Sequence, residues 1–267
     1  DIPGHLGWDP QRAAYRMSEY QGDLRVLTFT GSQGWVALSD ASNRTKLPSP
    51  ATLSVLRPQS GDGKLGVIST LPNTNRPSAL GLPGEQIYGV RFDAKRAYLV
   101  TFRQTDPLYI LDLSDPLDPR MLGELKMPGY SDYLFPLAND LLLGVGKDAT
   151  QTGQVLGVRV ALMDLKNPSS PKELQVLSFG DRGSTSGLDY SSHGINLLQV
   201  GNIQRIALPL GLFNQSTKAY SQGLQALEVD VLKPGLRQHQ WIASSETKEW
   251  NDISSDRSIQ IGEFIYY

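Results

Sequence analysis

Residues 86–126 read QIYGVRFDAKRAYLVTFRQTDPLYILDLSDPLDPRMLGELK, four short runs of strand-forming residues divided by three turns. Gln86–Phe92 alternates apolar and polar residues, and Arg96–Phe102 follows a turn at Asp93–Lys95. Leu108–Leu113 comes after a short loop holding Asp106–Pro107, and Arg120–Lys126 after the Asp/Pro-rich turn Ser114–Pro119. Four such runs joined by tight turns make one antiparallel meander. A lone four-stranded sheet cannot bury its own faces, so this one requires copies stacked against it.

The copies are found by working outward. Tyr15–Tyr20, Leu24–Thr30, Ala51–Leu56 and Lys64–Leu71 form an earlier set, interrupted by a polar insertion over Gly31–Ser49. A third set runs SDYLFPL, LLLGVG, GVRVALMDL, KELQVLSF from Ser131; a fourth runs from GLDY through INLLQVGN, IQRIALPLGLF, LQALEVDVL and LRQHQWIAS. Ser258–Tyr267 repeats the opening hairpin once more. LDLSDPLDP (Leu111–Pro119) and MDLKNPSSP (Met163–Pro171) agree at two hydrophobic–acidic and two proline positions with an offset of 52 residues. The prolines Pro58, Pro116, Pro168 and Pro234 continue the series at spacings of 58, 52 and 66. Propeller repeats of about 40–50 residues with loop insertions fit these periods. The fold expected is therefore all-β, a β-propeller of four-stranded antiparallel blades. A sandwich with coincidental spacing is the alternative. An irregular lead-in covers 1–14, followed by blades near 15–75, 84–129, 130–185 and 186–247 and a partial blade at 250–267. The ends, DIPG and IGEFIYY, read as cuts through a longer chain.

Composition narrows the function. A net charge of -2 without a basic cluster argues against nucleic acid, which demands a positive surface. Cysteine is absent, which removes disulfides, thiolate nucleophiles and thiolate metal sites. No apolar run reaches the roughly 18 residues of a membrane span, and Asp1–Ala14 has no signal-peptide pattern.

EQIYGVRFDAKRAYLVTFRQTDPLYILDLSDPLDPRMLGELKMPGYSDYLFPL, with MSEYQGDLRVLTF (Met17–Phe29) and LLLGVGKD (Leu141–Asp148), closely resembles the secreted bacterial and archaeal β-propeller-domain family, distantly related to WD-type repeats. The resemblance is specific over Met17–Leu177 and thins after about Gly187. It implies export and a cell-envelope, periplasmic or extracellular location, and it supplies no reaction and no catalytic residues. Phe135 stands where the family pattern leads one to expect histidine, which weakens a metal or catalytic role at that point.

His5, His193 and His239 lack any zinc-ligand spacing. Gly183–Gly187 (GSTSG) places Thr185 where a nucleophile elbow needs serine, and Gly144–Lys147 (GVGK) lacks the earlier glycine of a phosphate loop. Asp112, Asp115 and Asp118 recur at every third position and are the candidate metal ligands, with calcium as the ion. The competing reading makes them turn formers that bond their own backbone. Asp252 and Asp256 are a dispersed carboxylate pair of the kind a glycosidase uses. Loop aromatics Trp35, Phe213, Tyr220 and Trp250 are the candidate binding residues, able to stack on sugars or anchor a peptide.

These readings lead to a non-catalytic exported platform that binds or scaffolds a protein or glycan at the cell envelope, with self-association through open blade edges. The alternative is a hydrolase or lyase using carboxylates, with calcium, at the mouth of the propeller channel.

Overall fold

A computed structural model describes residues 1–267 apart from 8, 31–48, 62, 83–84, 103–105, 151 and 248–251, and apart from the side chains at 102, 106 and 245–247. The chain divides into two compact units, Asp1–Met127 with Pro168–Ser170, and Pro128–Asn167 with Pro171–Tyr267.

In the first unit one helical turn, α1 (Pro10–Ala13), is capped by Asp9, whose carboxylate accepts the Gln11 N–H at 2.9 Å. A 3₁₀ turn at Ala14–Arg16 follows. Two four-stranded antiparallel sheets come next, each in sequence order: β1 (Met17–Tyr20), β2 (Asp23–Phe29), β3 (Ala51–Pro58) and β4 (Leu65–Leu71), then β5 (Gln86–Asp93), β6 (Arg96–Phe102), β7 (Asp106–Asp112) and β8 (Arg120–Met127). These are the β-propeller blades that the sequence leads one to expect. Leu27, Leu53, Leu71, Ile87, Leu99 and Leu111 belong to one buried cluster spanning both sheets, so neither sheet folds as an isolated layer. Burial follows strand position: β2 and β3 are buried over four consecutive residues, while the edge strands β4 and β8 are mostly half-buried.

Arginines on aromatic rings close the seam between these two sheets. The Arg16 guanidinium lies 4.7 Å from the Phe29 centroid and donates to the carbonyls of Leu6 and Ile87. Arg25 sits over both Tyr20 (4.9 Å) and Phe92 (5.1 Å) and donates to the Ala94 carbonyl and, at 2.7 Å, to the Ser18 hydroxyl. Burial pulls the Arg16 guanidinium down to about 10 and lowers that of Arg25. Both still carry their charge at neutral pH, held by ring faces and carbonyls in place of water. The lead-in joins the same seam, since His5 exchanges backbone hydrogen bonds with Phe29 at 3.1 and 2.8 Å.

The second unit holds β9 (Tyr130–Leu137), β10 (Leu141–Ala149), β11 (Val155–Asp164) and β12 (Lys172–Phe179) as a third four-stranded sheet. The next sheet has five strands: β13 (Thr185–Ser186), β14 (Asn196–Val200), β15 (Ile203–Asn214), β16 (Ala219–Asp230) and β17 (Gly235–Thr247). β14 and β13 share the long strand β15, pairing with Ile203–Ala207 and with Leu210–Gly211 respectively. A ribbon of β18 (Ile259–Ile261) and β19 (Phe264–Tyr266) ends the chain. GLDY does not open the fourth set as a strand. Gly187–Asp189 is a 3₁₀ turn, closed by a capping box between Ser186 and Asp189 and by the Lys147 ammonium 2.7 Å from the Asp189 carboxylate.

Candidate functional site

The sheets share a corner where the third strand ends. In three of them its last residue is an aspartate: Asp112 opposite Arg96, Asp164 opposite Leu141, Asp230 opposite Ile203. Each carboxylate turns back on its own chain, accepting the N–H of Ser114, Lys166 or Leu232 at 2.9 Å. The residue after each aspartate donates its own N–H to a carbonyl in the first hairpin turn: Leu113 to Lys95 at 2.7 Å, Leu165 to Asp140 at 2.8 Å, Val231 to Asn202 at 2.9 Å. This is a structural use of carboxylates, the Asx-turn that short acidic side chains favour.

The first sheet departs from the repeat. Leu24 pairs with Leu56, so the next step along the ladder sets Asp23 opposite Arg57. Arginine thus stands where the other sheets carry aspartate, and Pro58 follows it with no N–H to give. The two side chains form a bidentate pair, with Arg57 Nε and Nη2 each 2.7 Å from one Asp23 oxygen. The guanidinium hydrogen bonds hold the Asp23 carboxyl below its usual range, and the same bonds raise Arg57. Asp23 is 5% exposed, whereas 46% of the Arg57 side chain is open to solvent.

That pair lines a cleft with about 460 Å³ of empty space, its open mouth included. Tyr20, Gln21, Arg25 and Val55 complete the side formed by the first sheet; Leu113, Ser114, Pro116 and Pro119, from the β7–β8 turn, form the other. Gln21 holds its place with φ of 54° beside Gly22 at 86°, a two-residue hairpin turn with both centres left-handed. The β7–β8 turn is fixed by Ser69, whose hydroxyl donates to the Pro116 carbonyl at 2.6 Å, and by the Arg76–Asp118 ion pair. The cleft is therefore preformed, with a charged floor, one aromatic ring and proline walls.

A family model described as a beta propeller domain matches residues 1–267. The chain belongs to that family. Among relatives of this propeller, an uncharacterised protein of Methanocaldococcus jannaschii is 35% identical over 176 residues, which cover 66% of this chain and 24% of that protein. A second uncharacterised protein, from Archaeoglobus fulgidus, is 46% identical over 89 residues, or 33% of this chain and 13% of that one. The matches thus span about a quarter or less of these relatives' length. Among solved structures, the propeller is similar to an α-L-arabinanase of Penicillium chrysogenum complexed with arabinobiose, with TM-score 0.38 and 12% identity over 84% of this chain and 65% of that one. It is also similar to Sqt1 of Saccharomyces cerevisiae, with TM-score 0.37 and 8% identity over 86% and 63%. At these scores neither likeness carries an argument about chemistry.

The structure places the three aspartates of the β7–β8 turn on separate duties. Asp112 accepts from Ser114 and, at 2.8 Å, from Arg120; Asp115 accepts the Leu117 N–H at 2.9 Å; Asp118 pairs with Arg76. Among the described residues no three His, Asp or Glu side chains gather as a group that could hold a metal ion. Trp35 and Trp250 lie outside the described residues. Phe213 and Tyr220 sit directly opposite one another on β15 and β16, half-buried, with centroids 4.8 Å apart and planes at 38°. They belong to strands and not to a loop, because the turn between them spans only Gln215–Lys218 and is tied by the Asn214 carboxamide oxygen to the N–H groups of Ser216 and Thr217. The Lys218 ammonium lies 5.9 Å from the Phe213 centroid.

Glu85 is a further ionisable group that sequence reasoning passed over. It is 8% exposed and accepts the Thr101 hydroxyl at 2.6 Å and the Leu82 N–H at 2.7 Å. Burial raises its carboxyl above the usual range and also raises the nearby Tyr109 phenol. A residue such as Glu85 carries no spacing signal of its own. Arg57 did carry one, since it breaks a register that Asp112, Asp164 and Asp230 define.

Proposed function

We propose that the chain is part of an exported, non-catalytic platform at the cell envelope, presenting its charged cleft to a protein or glycan partner. The observation behind this reading is the state of the cleft's carboxylate. Asp23 is locked to Arg57 through two 2.7 Å hydrogen bonds and held in its charged form. A carboxylate fixed that way is a poor proton carrier at neutral pH, where general acid–base work needs a value near the working pH. It is a good recognition element, because the pair presents a rigid charge pattern.

The experiment is affinity capture from the source organism's envelope fraction with the whole-length protein as bait, read by mass spectrometry and by sugar analysis. One stoichiometric partner is expected; a clean blank in both readouts would overturn the platform.

The rival, a hydrolase or lyase working with carboxylates and calcium, draws its support from Glu85. A buried carboxyl whose proton affinity is raised by burial is the kind of group that serves as a general acid. Turnover of a glycan or peptide that Glu85→Gln abolishes would establish that reading in place of the platform.

A further inference from the structure

We propose that the cleft beside Asp23 and Arg57 binds a carboxylate-bearing sugar, a hexuronate unit of an acidic glycan. The inference rests on the platform reading and specifies what its cleft takes. Charge gives the first half of the argument. Arg25 and Arg57 face a single carboxylate, Asp23, so the lining holds a surplus positive charge. Arg57 commits Nε and Nη2 to Asp23, and Nη1 has no such commitment at a side chain 46% open to solvent. Arg25 is 4% exposed and bonds the Ala94 carbonyl and the Ser18 hydroxyl, so it gives the cleft charge while Arg57 gives the open donor. A planar carboxylate is the acceptor that guanidinium groups match best.

The second half comes from the uncharged lining. The Gln21 amide both donates and accepts, as sugar hydroxyls require, and the Ser114 hydroxyl, which donates to Asp112, keeps lone pairs that accept. Gln21 holds a left-handed turn position, which glycine would occupy with less strain. The Tyr20 ring and the rings of Pro116 and Pro119 offer apolar surface to the C–H face of a pyranose. An acidic amino-acid side chain would use the charge and leave the hydroxyl partners idle. A neutral sugar would do the reverse.

The test is a titration of the chain with glucuronic acid, glucose and acetate, followed by amide chemical shifts in wild type, Gln21→Gly and Arg57→Gln. Glucuronic acid is expected to move the amides around Gln21 and Ser114, with glucose and acetate at least about tenfold weaker. Arg57→Gln should weaken glucuronic acid about tenfold and Gln21→Gly about threefold. Gln21→Gly relieves its turn and keeps the fold, so it decides the matter if Arg57→Gln unfolds. Glucose or acetate binding as well as glucuronic acid, no binding at all, or binding unchanged in both variants would overturn the hexuronate. A partner captured from the envelope fraction while glucuronic acid is ignored would overturn the ligand and leave the platform standing.

Discussion

The corner at Asp23 and Arg57 and the corner at Asp164 occupy the same place in their sheets and do different things. Asp164 serves its own backbone, taking the Lys166 N–H while Leu165 ties to the Asp140 carbonyl. Asp23 and Arg57 serve each other across the strand pair and line open space. Repetition explains the first arrangement, since three sheets end their third strand in the same Asx-turn. It leaves the second unexplained, and a break in a repeat that forms a charged cleft is where function is to be sought.

The comparison can be broken from the structural side. Gly123 on β8 approaches the turn Pro168–Ser170 so closely that a Cβ there would lie 2.2 Å from the Pro168 carbonyl oxygen. Gly123→Leu should therefore cost about 2–3 kcal/mol through backbone displacement, read by urea unfolding. Asp164→Ala removes an Asx-turn acceptor and should cost about 1 kcal/mol, leaving ligand capture intact. A larger loss of capture than of stability would mean that the repeated corners are sites as well.

The cleft side is sharpened by exchanging its charges. Asp23→Arg alone or Arg57→Asp alone places like charges together, and each should destabilise more than the double exchange, which restores an ion pair. The double variant should keep most of the wild-type stability and lose the ligand. Equal stability in singles and double would show that the pair contributes nothing to the fold.

Acid titration separates Asp23 from Glu85 by sign. Asp23 is held below its unfolded value of about 3.9, so its stabilisation is present above that pH and lost as pH falls through the folded value. Glu85 is held above its unfolded value of about 4.3, so its folded form keeps the proton longer. Its contribution is complete below that pH and is lost as pH rises through the folded value. Glu85→Gln should accordingly gain on wild type as pH rises above about 4.3, and Asp23→Asn should lose most at neutral pH. These are the smallest effects, measured by unfolding midpoints across pH. Parallel curves for wild type and both variants would contradict them.

Much of the fold was legible because strands and turns announce themselves locally. The reference stretch at 86–126 and the 52-residue match of LDLSDPLDP to MDLKNPSSP place Asp112 and Asp164 at true equivalents. Proline alignment then misled at one point. Pro116, Pro168 and Pro234 each fall four residues after the corner aspartate, but Pro58 follows Arg57 at once and belongs to β3. Aligning it with the others hid the substitution of Arg57 for aspartate, and with it the cleft. Arg16, Arg25 and Glu85 were illegible for a different reason. Arg16 reaches the Ile87 carbonyl and Arg25 the Ala94 carbonyl, 71 and 69 residues on, and Glu85 reaches Thr101 across a change of strand, so no local pattern encodes the partner.

The most direct test of the account captures partners from the envelope fraction with three whole-length baits: wild type, Asp164→Ala, and the double exchange Asp23→Arg with Arg57→Asp. The account predicts the same stoichiometric partner on the first two and none on the third. Equal capture by all three would contradict it, since the corner that breaks the repeat would then be no more than a variation in its architecture.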